Sequence, residues 1–328
     1  MKKICFFALS LVGWSCINHR GDSDYKPYLE TDDDFRPSFE SLQDVSKKLN
    51  DHVFQVITKA IDANPSQAPT NKVQPDVVIQ RVYEALSLPR VGSGFGVGRG
   101  TTRIEVSAFT EIEAWLDENL DEAKGEKRSI KFKESRYRLN PVGFSGLSKG
   151  QWPRKPSHLT EWTANHSIAP VIKVGNVYLG IDKFAHFFEQ GYWYYKTKVQ
   201  EGSSSRPLTE QERFQFGQYM EGDGDLPKEL HSKYQKIFAS WCRTCASFGY
   251  YGSASTGVIS YADMNANEVG RSFYLKLEGI LKAQESNPEA LKASIQKFVR
   301  FEQFSPEKMN ESLVPNRYKD ILVSSAKN

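Results

Sequence analysis

Gly180-Ile181-Asp182-Lys183-Phe184-Ala185-His186-Phe187-Phe188-Glu189-Gln190-Gly191 is the stretch that decides the fold, and it runs on into Tyr192-Trp193-Tyr194-Tyr195. In a helix turning about 100° per residue, Phe184, Phe187, Phe188, Gly191 and Tyr195 fall on one side. Asp182, His186, Glu189 and Trp193 fall on the other, within about 60° of one another. The spacing predicts a helix that starts near Asp182, whose carboxylate serves as cap or first-turn acid. One face is apolar, and the other carries a carboxylate, an imidazole and a second carboxylate.

A second stretch answers it: Ser260-Tyr261-Ala262-Asp263-Met264-Asn265-Ala266-Asn267-Glu268-Val269-Gly270. Read as a helix, it places Asp263, Asn267, Gly270 and Tyr274 on one face. A glycine inside a helix costs roughly 1 kcal/mol against alanine, so Gly270 predicts the close approach of another helix. The two helices are expected to meet, with Asp182, His186, Asp263 and Asn267 at their contact.

The residue types at that contact suit more than one chemistry. An Asp four residues before a His can orient the imidazole and set its tautomer. His186, Glu189 and Asp263 form a candidate ligand set for a divalent metal such as Zn, Mn or Fe, which accept mixed nitrogen and oxygen donors. Asp182, His186 and Asp263 are candidate catalytic residues of a metal-dependent or general-base hydrolase. The sequence favours a buried, hydrogen-bonded clamp between two helices, structural or partner-binding, in which Lys183 pairs one carboxylate, and the hydrolase is the alternative to it.

D-K-x-x-H-F followed by S-Y-A-D-x-x-A-N-x-x-G is similar to the signatures of a widespread group of bacterial envelope lipoproteins of no assigned reaction. It also resembles, more distantly, the VanZ-like proteins, which share D-K-x-x-H-F and a later D-x-x-x-N-x-x-G. The likeness covers residues 165–275 and extends to the tail Pro315-Asn316-Arg317-Tyr318. It implies that Asp182, Lys183, His186, Phe187, Asp263, Asn267 and Gly270 are signature positions. It implies no reaction.

The amino terminus predicts export. Lys2-Lys3 is a positive n-region, Ile4 to Trp14 is apolar, and Ser15-Cys16 marks a cleavage site before a cysteine. This resembles a bacterial lipoprotein leader, with Cys16 as the lipidated residue, although Trp14 departs from the usual small residue. Residues 1–15 then form a signal peptide and 16–36, polar and acidic, a flexible tether. The expected location is the bacterial cell envelope, periplasm-facing and lipid-anchored, with an envelope protein as candidate partner. The net charge of +3 includes Lys2 and Lys3 of the leader, so nothing in the charge points to nucleic acid. No later run approaches the length of a membrane-spanning helix.

The remaining chain divides into an N-terminal helical region, 37–125, and a signature-containing helical domain, 126–328. Helices are expected over residues 38–63, 76–88 and 207–219, over Tyr261 to Ala283, and over 288–304. Another is expected over 110–120, with Thr110 as cap and Glu113 at the capping-box position. Val171 to Leu179 reads as a hairpin turning at Gly175-Asn176. The fold class is therefore mainly α with a minor antiparallel β element and a single-layer helical core.

Several motifs fail on inspection. Gly92 to Gly100 has glycine at alternate positions and reads as a turn, since it lacks the lysine of a phosphate-binding loop. Gly143-Phe144-Ser145-Gly146 lacks the last glycine of a nucleophile elbow. Asp223-Gly224-Asp225, in a predicted turn from Glu221 to Asp225, does not complete a calcium loop. Trp241-Cys242-Arg243-Thr244-Cys245 resembles a thioredoxin motif, but Gly249 and Gly252 interrupt the helix that must follow. Cys242 and Cys245 are read as a small disulfide or a thiol pair, and His166 as a loop histidine.

Overall fold

The computed structural model describes residues 42–63, 73–88, 95–97, 104–106, 110–120, 138–139, 171–197, 208–221, 226–230, 258–283, 287–310 and 316–318. The leader, Cys16, the tether, Gly143 to Gly146, His166 and the Cys242/Cys245 pair lie outside the described residues.

Helix α1, Ser46–Asp62, buries Leu49, Val53, Ile57 and Ile61, one residue per turn. Its first turn is held from outside. Asp44 accepts the Ser46 backbone N–H through Oδ1 at 2.8 Å and the Ser46 hydroxyl through Oδ2 at 3.0 Å. The same Oδ1 accepts the Gly175 N–H at 2.8 Å, tying the hairpin turn to the start of α1. Helix α2, Pro75–Ser87, starts on a proline, whose missing N–H has no partner in a first turn anyway.

Strands β1, Phe95–Val97, and β2, Ile104–Val106, pair antiparallel. The glycine-rich stretch predicted as a turn therefore contributes a strand. Alternate glycines leave Phe95 and Val97 in strand alternation, and that pattern prevails over the turn signal. Helix α3, Glu111–Leu120, opens with the expected capping box. Glu113 Oε2 accepts both the Thr110 N–H and the Thr110 hydroxyl at 2.7 Å, and the Glu113 N–H reaches Thr110 Oγ1 at 3.4 Å.

Strand β3, Arg138–Leu139, pairs with β4, Val171–Val174, which turns into β5, Val177–Gly180. The turn is the predicted Gly175-Asn176. Gly175 has φ +60°, and a Cβ there would lie 2.7 Å from the Glu302 carbonyl oxygen, so glycine is required twice over.

The hairpin delivers the chain into helix 182–196. It comprises α4, Asp182–Ala185, a π-helical turn, His186–Gln190, and α5, Gly191–Lys196. Helix α6, Glu210–Glu221, and strand β6, Val258–Ser260, follow. Then comes the long helix α7, Tyr261–Ala283, with the bounds predicted for it. Helix α8, Pro288–Phe298, is capped by Asn287 Oδ1 on the Ala290 N–H, and a 3-10 turn covers Phe301–Gln303. Helix α9, Pro306–Met309, and β7, Asn316–Tyr318, paired with β6, complete the described elements.

The fold is mainly α with a minor antiparallel β hairpin, as predicted. One apolar core joins α1, α2 and α3 to the hairpin, helix 182–196, α7 and α8. The described parts of the two sequence regions thus pack against one another. A satellite cluster of Leu208, Phe216, Met220, Leu226 and Leu230 seats α6.

Candidate functional site

The two signature helices cross where the sequence expected. A Cβ on Gly270 would collide with the Phe187 carbonyl oxygen, and a Cβ on Gly191 would lie 2.7 Å from Gly270 Cα. The pair of glycines lets the backbones touch. Gly191 lies on the apolar side in the sequence reading, and its role here is clearance rather than packing.

The π turn decides which side chains face α7. The Gly191 N–H reaches back five residues to the His186 carbonyl. This wider turn advances fewer degrees per residue than an α-helix, so residues after His186 lag behind the predicted wheel. Gln190 comes to lie beside His186, against Asn267. Glu189, expected three positions on from His186 along the polar face, is buried but is not in the group of ligand atoms formed by His186, Glu221 and Asp263. Tyr274 donates its hydroxyl to the Phe188 carbonyl at 2.9 Å, inside the turn. π turns of this kind recur at functional sites.

At the crossing, His186 Nε2 lies 3.4 Å from Asp263 Oδ2, so the predicted meeting of the two polar stripes is observed. Lys183 Nζ lies 2.5 Å from Asp263 Oδ1 and 3.0 Å from Asp182 Oδ2, bridging the two acids. Lys183, His186, Asp263 and Asn267 are all buried, whereas the Asp182 side chain is 32% exposed. Asp263 sits three residues after Ser260, whose hydroxyl accepts the Asp263 N–H at 3.3 Å and caps α7.

The third contributor is Glu221, the last residue of α6. It is 1% exposed, and neither of its oxygens makes a well-formed hydrogen bond among the described residues. Burial pushes its carboxyl well above the ordinary range, and Asp263 pushes it further. Lys183 and the nearby Ser260 N–H pull it back. His186, Glu221 and Asp263 each offer one ligand atom, all within 4.8 Å of one another, so this trio could hold a metal ion. The trio predicted from sequence had Glu189 where the structure places Glu221. The sequence reading missed Glu221 because it assigned that residue to a turn. The available signal was an acid ending a helix, against the helix dipole.

Asn267 and Gln190 back the imidazole. With Asn267 Oδ1 facing His186 Nδ1 at 3.2 Å, its amide N–H donates to Gln190 Oε1 at 2.8 Å. Nδ1 then carries the proton, and Nε2 can offer a lone pair. With the Asn267 amide turned, its nitrogen donates to Nδ1 and to the Asp263 carbonyl at 3.1 Å. Gln190 Nε2, otherwise without a partner among the described residues, then pairs with Asn267 once its own amide turns too. In that state Nε2 carries the proton and points it at Asp263. The amide pair thus serves either histidine tautomer.

Glu113, at the start of α3, borders the other end of the cluster. Burial pushes its carboxyl up to about 8, against the pull of the two Thr110 hydrogen bonds, and Asp182 adds to the rise. Arg213 fixes α6 in place. It forks onto Glu268 of α7 at 2.5 and 3.2 Å and donates to the Leu208 carbonyl at 2.6 Å. Its own backbone carbonyl accepts the Tyr194 hydroxyl at 2.8 Å. These contacts dock the helix that ends in Glu221 against α7, which permits a preformed ligand set.

No known family model, curated protein or solved structure matches this chain.

Proposed function

We propose that this is an exported, lipid-anchored bacterial envelope protein whose helix crossing binds one divalent metal ion through His186, Glu221 and Asp263. The observation that carries the metal reading is the Glu221 carboxylate, which is buried beside a second acid and makes no well-formed hydrogen bond among the described residues. A buried acid in that setting is expensive unless it holds a proton or a cation. The imidazole in the ligand set favours Zn, Mn or Fe over Mg or Ca. Asn267 supplies the second shell: with its Oδ1 towards Nδ1 it accepts a hydrogen bond from Nδ1–H, which leaves the Nε2 lone pair for a metal.

Three protein ligands leave a position for water, and an ion so held makes that water more acidic, which is the chemistry of a hydrolase. Asp182, partly exposed at the edge of the cluster, is the group placed to meet solvent. The reading of the envelope location rests on Lys2-Lys3, the apolar segment and Ser15-Cys16. Among the described residues no helix is long and apolar enough to cross a membrane.

Elemental analysis of the full mature protein tests the metal. The expected result is one equivalent of a transition metal, lost in Glu221→Gln and in His186→Ala with helix content retained. Metal-free protein that stays metal-free after incubation with Zn²⁺, Mn²⁺ and Fe²⁺ would sink the reading. Intact-mass measurement tests the anchor, with cleavage before Cys16 and a lipid-sized increment that Cys16→Ser removes.

A second reading keeps the same cluster as a metal-free clamp, structural or partner-binding. The Lys183–Asp263 ion pair at 2.5 Å favours it, since an ammonium already neutralises one acid. A large fall in melting temperature for His186→Ala in metal-free protein distinguishes the clamp from the metal centre.

A further inference from the structure

We propose that Lys183 sets the affinity threshold of this site: its ammonium is a resident cation that an incoming metal ion must displace from Asp263. The inference rests on the metal reading above.

The geometry supplies both ends of the exchange. Asp263 is divided between two partners, Lys183 on Oδ1 at 2.5 Å and His186 on Oδ2 at 3.4 Å. An ion bound by Nε2 and Asp263 shares that carboxylate with the ammonium, and like charges at such separation repel strongly in a buried setting. The Lys183 side chain is 4% exposed, so water cannot screen the repulsion. Yet Lys183 need not be stranded. Asp182 already accepts from Nζ at 3.0 Å, and its other oxygen has no hydrogen bond among the described residues. Asp182 can therefore keep hold of the ammonium once Asp263 turns to the metal. The two are adjacent in sequence in the first turn of the helix, so the exchange needs side-chain movement only.

The charge penalty is similar for all divalent ions, while the gain from an imidazole and two carboxylates is not. Ions late in the first transition series gain most from nitrogen ligation and can overcome the ammonium. Mg²⁺ and Ca²⁺, which prefer all-oxygen sites with more ligands, cannot. A resident lysine thus excludes the abundant hard cations without any steric filter.

Competition titrations of the full mature protein with Co²⁺, Zn²⁺ and Mg²⁺ against a chromophoric chelator test this. Wild type should bind Co²⁺ and Zn²⁺ and not Mg²⁺. Lys183→Met should tighten Co²⁺ and Zn²⁺ by roughly tenfold or more, since one opposing charge is gone. Lys183→Arg, which keeps the charge, should stay near wild type. Asp182→Asn should weaken binding, because the ammonium then leans more heavily on Asp263; this variant replaces a partly exposed group and keeps the test available if Lys183→Met does not fold. Wild-type binding with equal or weaker binding in Lys183→Met, or tighter binding in Asp182→Asn, overturns the inference and leaves the metal reading standing. Failure of every variant and of wild type to bind Co²⁺ or Zn²⁺ overturns both.

Discussion

The helix 182–196 has two halves that are stabilised in different ways. On one side Phe184, Phe187 and Phe188 pack among Phe273 and Phe301, with Phe187 and Phe188 ring centroids 4.7 Å apart and Phe188 and Phe273 5.7 Å apart. Burial there is non-directional, and each ring tolerates any apolar neighbour of suitable shape. On the other side Lys183, His186, Gln190, Asp263, Asn267 and Glu221 are polar groups that each need a particular partner. Burial of the apolar half does not depend on protons or cations, while the polar half carries groups that do. The contrast explains how a costly cluster can persist in the fold: the rings stabilise the crossing enough to offset it.

The largest expected effect falls on the apolar half. Phe188→Ala should destabilise the fold by about 4 kcal/mol, the loss typical of a fully buried ring, with the same value at pH 5 and pH 8. Denaturant unfolding measures it. A strong pH dependence of that loss would break the division between the halves.

The two glycines of α7 sharpen the comparison. At Gly270 a methyl group meets the Phe187 backbone, which cannot give way. Overpacking of roughly 3 kcal/mol outweighs a propensity gain of roughly 1, so Gly270→Ala should lose about 2 kcal/mol. At Gly279 a Cβ would meet nothing within 4 Å. Gly279→Ala should therefore gain up to about 1 kcal/mol. Equal effects at both positions would deny the close crossing.

The polar half should reveal itself through pH. Glu113 has a folded pKa near 8 against 4.5 for the ordinary carboxyl, so it binds a proton in the folded state that the unfolded chain has released. Its contribution is fully present below pH 4.5 and is lost as pH rises towards 8. The slope is on the order of 1 kcal/mol per pH unit while the two states differ by a proton. Glu221 is raised for the same cause and adds a slope of the same sign. Glu113→Gln, which keeps the capping box, should flatten the metal-free stability profile between pH 5 and pH 8. An unchanged profile would mean that Glu113 is ionised in the fold.

How far the sequence revealed this arrangement differs between the halves as well. The rings, the hairpin at Gly175-Asn176, the capping box at Thr110 and the length of α7 follow from periodicity and local hydrogen bonding, which a chain carries in its own order. Gly270 was legible because an interior glycine in a helix needs a reason. The meeting of His186 with Asp263 was legible from two polar stripes. Glu221 was not, because its membership depends on how α6 docks through Arg213 and Glu268, a contact between distant segments. Glu189 was misplaced because a uniform helical wheel cannot anticipate a π turn. The turn meets tertiary partners that a wheel does not contain, among them Gly270 against the Phe187 carbonyl and Tyr274 on the Phe188 carbonyl.

That last contact joins the two halves and gives the smallest predicted effect. The Tyr274 hydroxyl is buried and donates to a carbonyl within the π turn. Tyr274→Phe keeps the ring and its packing and removes only the donor, so the loss should be about 1 kcal/mol. The informative measurement is what accompanies it. If the hydroxyl helps to hold the π register, its removal lets the turn relax towards an α-helix, which rotates Gln190 away from Asn267 and Glu189 towards the cluster. The His186 ring resonances in NMR should then shift in Tyr274→Phe and not in Gly279→Ala. A loss of about 1 kcal/mol with unchanged His186 resonances would mean that the glycine contact alone holds the turn, and that the polar half owes its geometry to backbone clearance rather than to this hydroxyl.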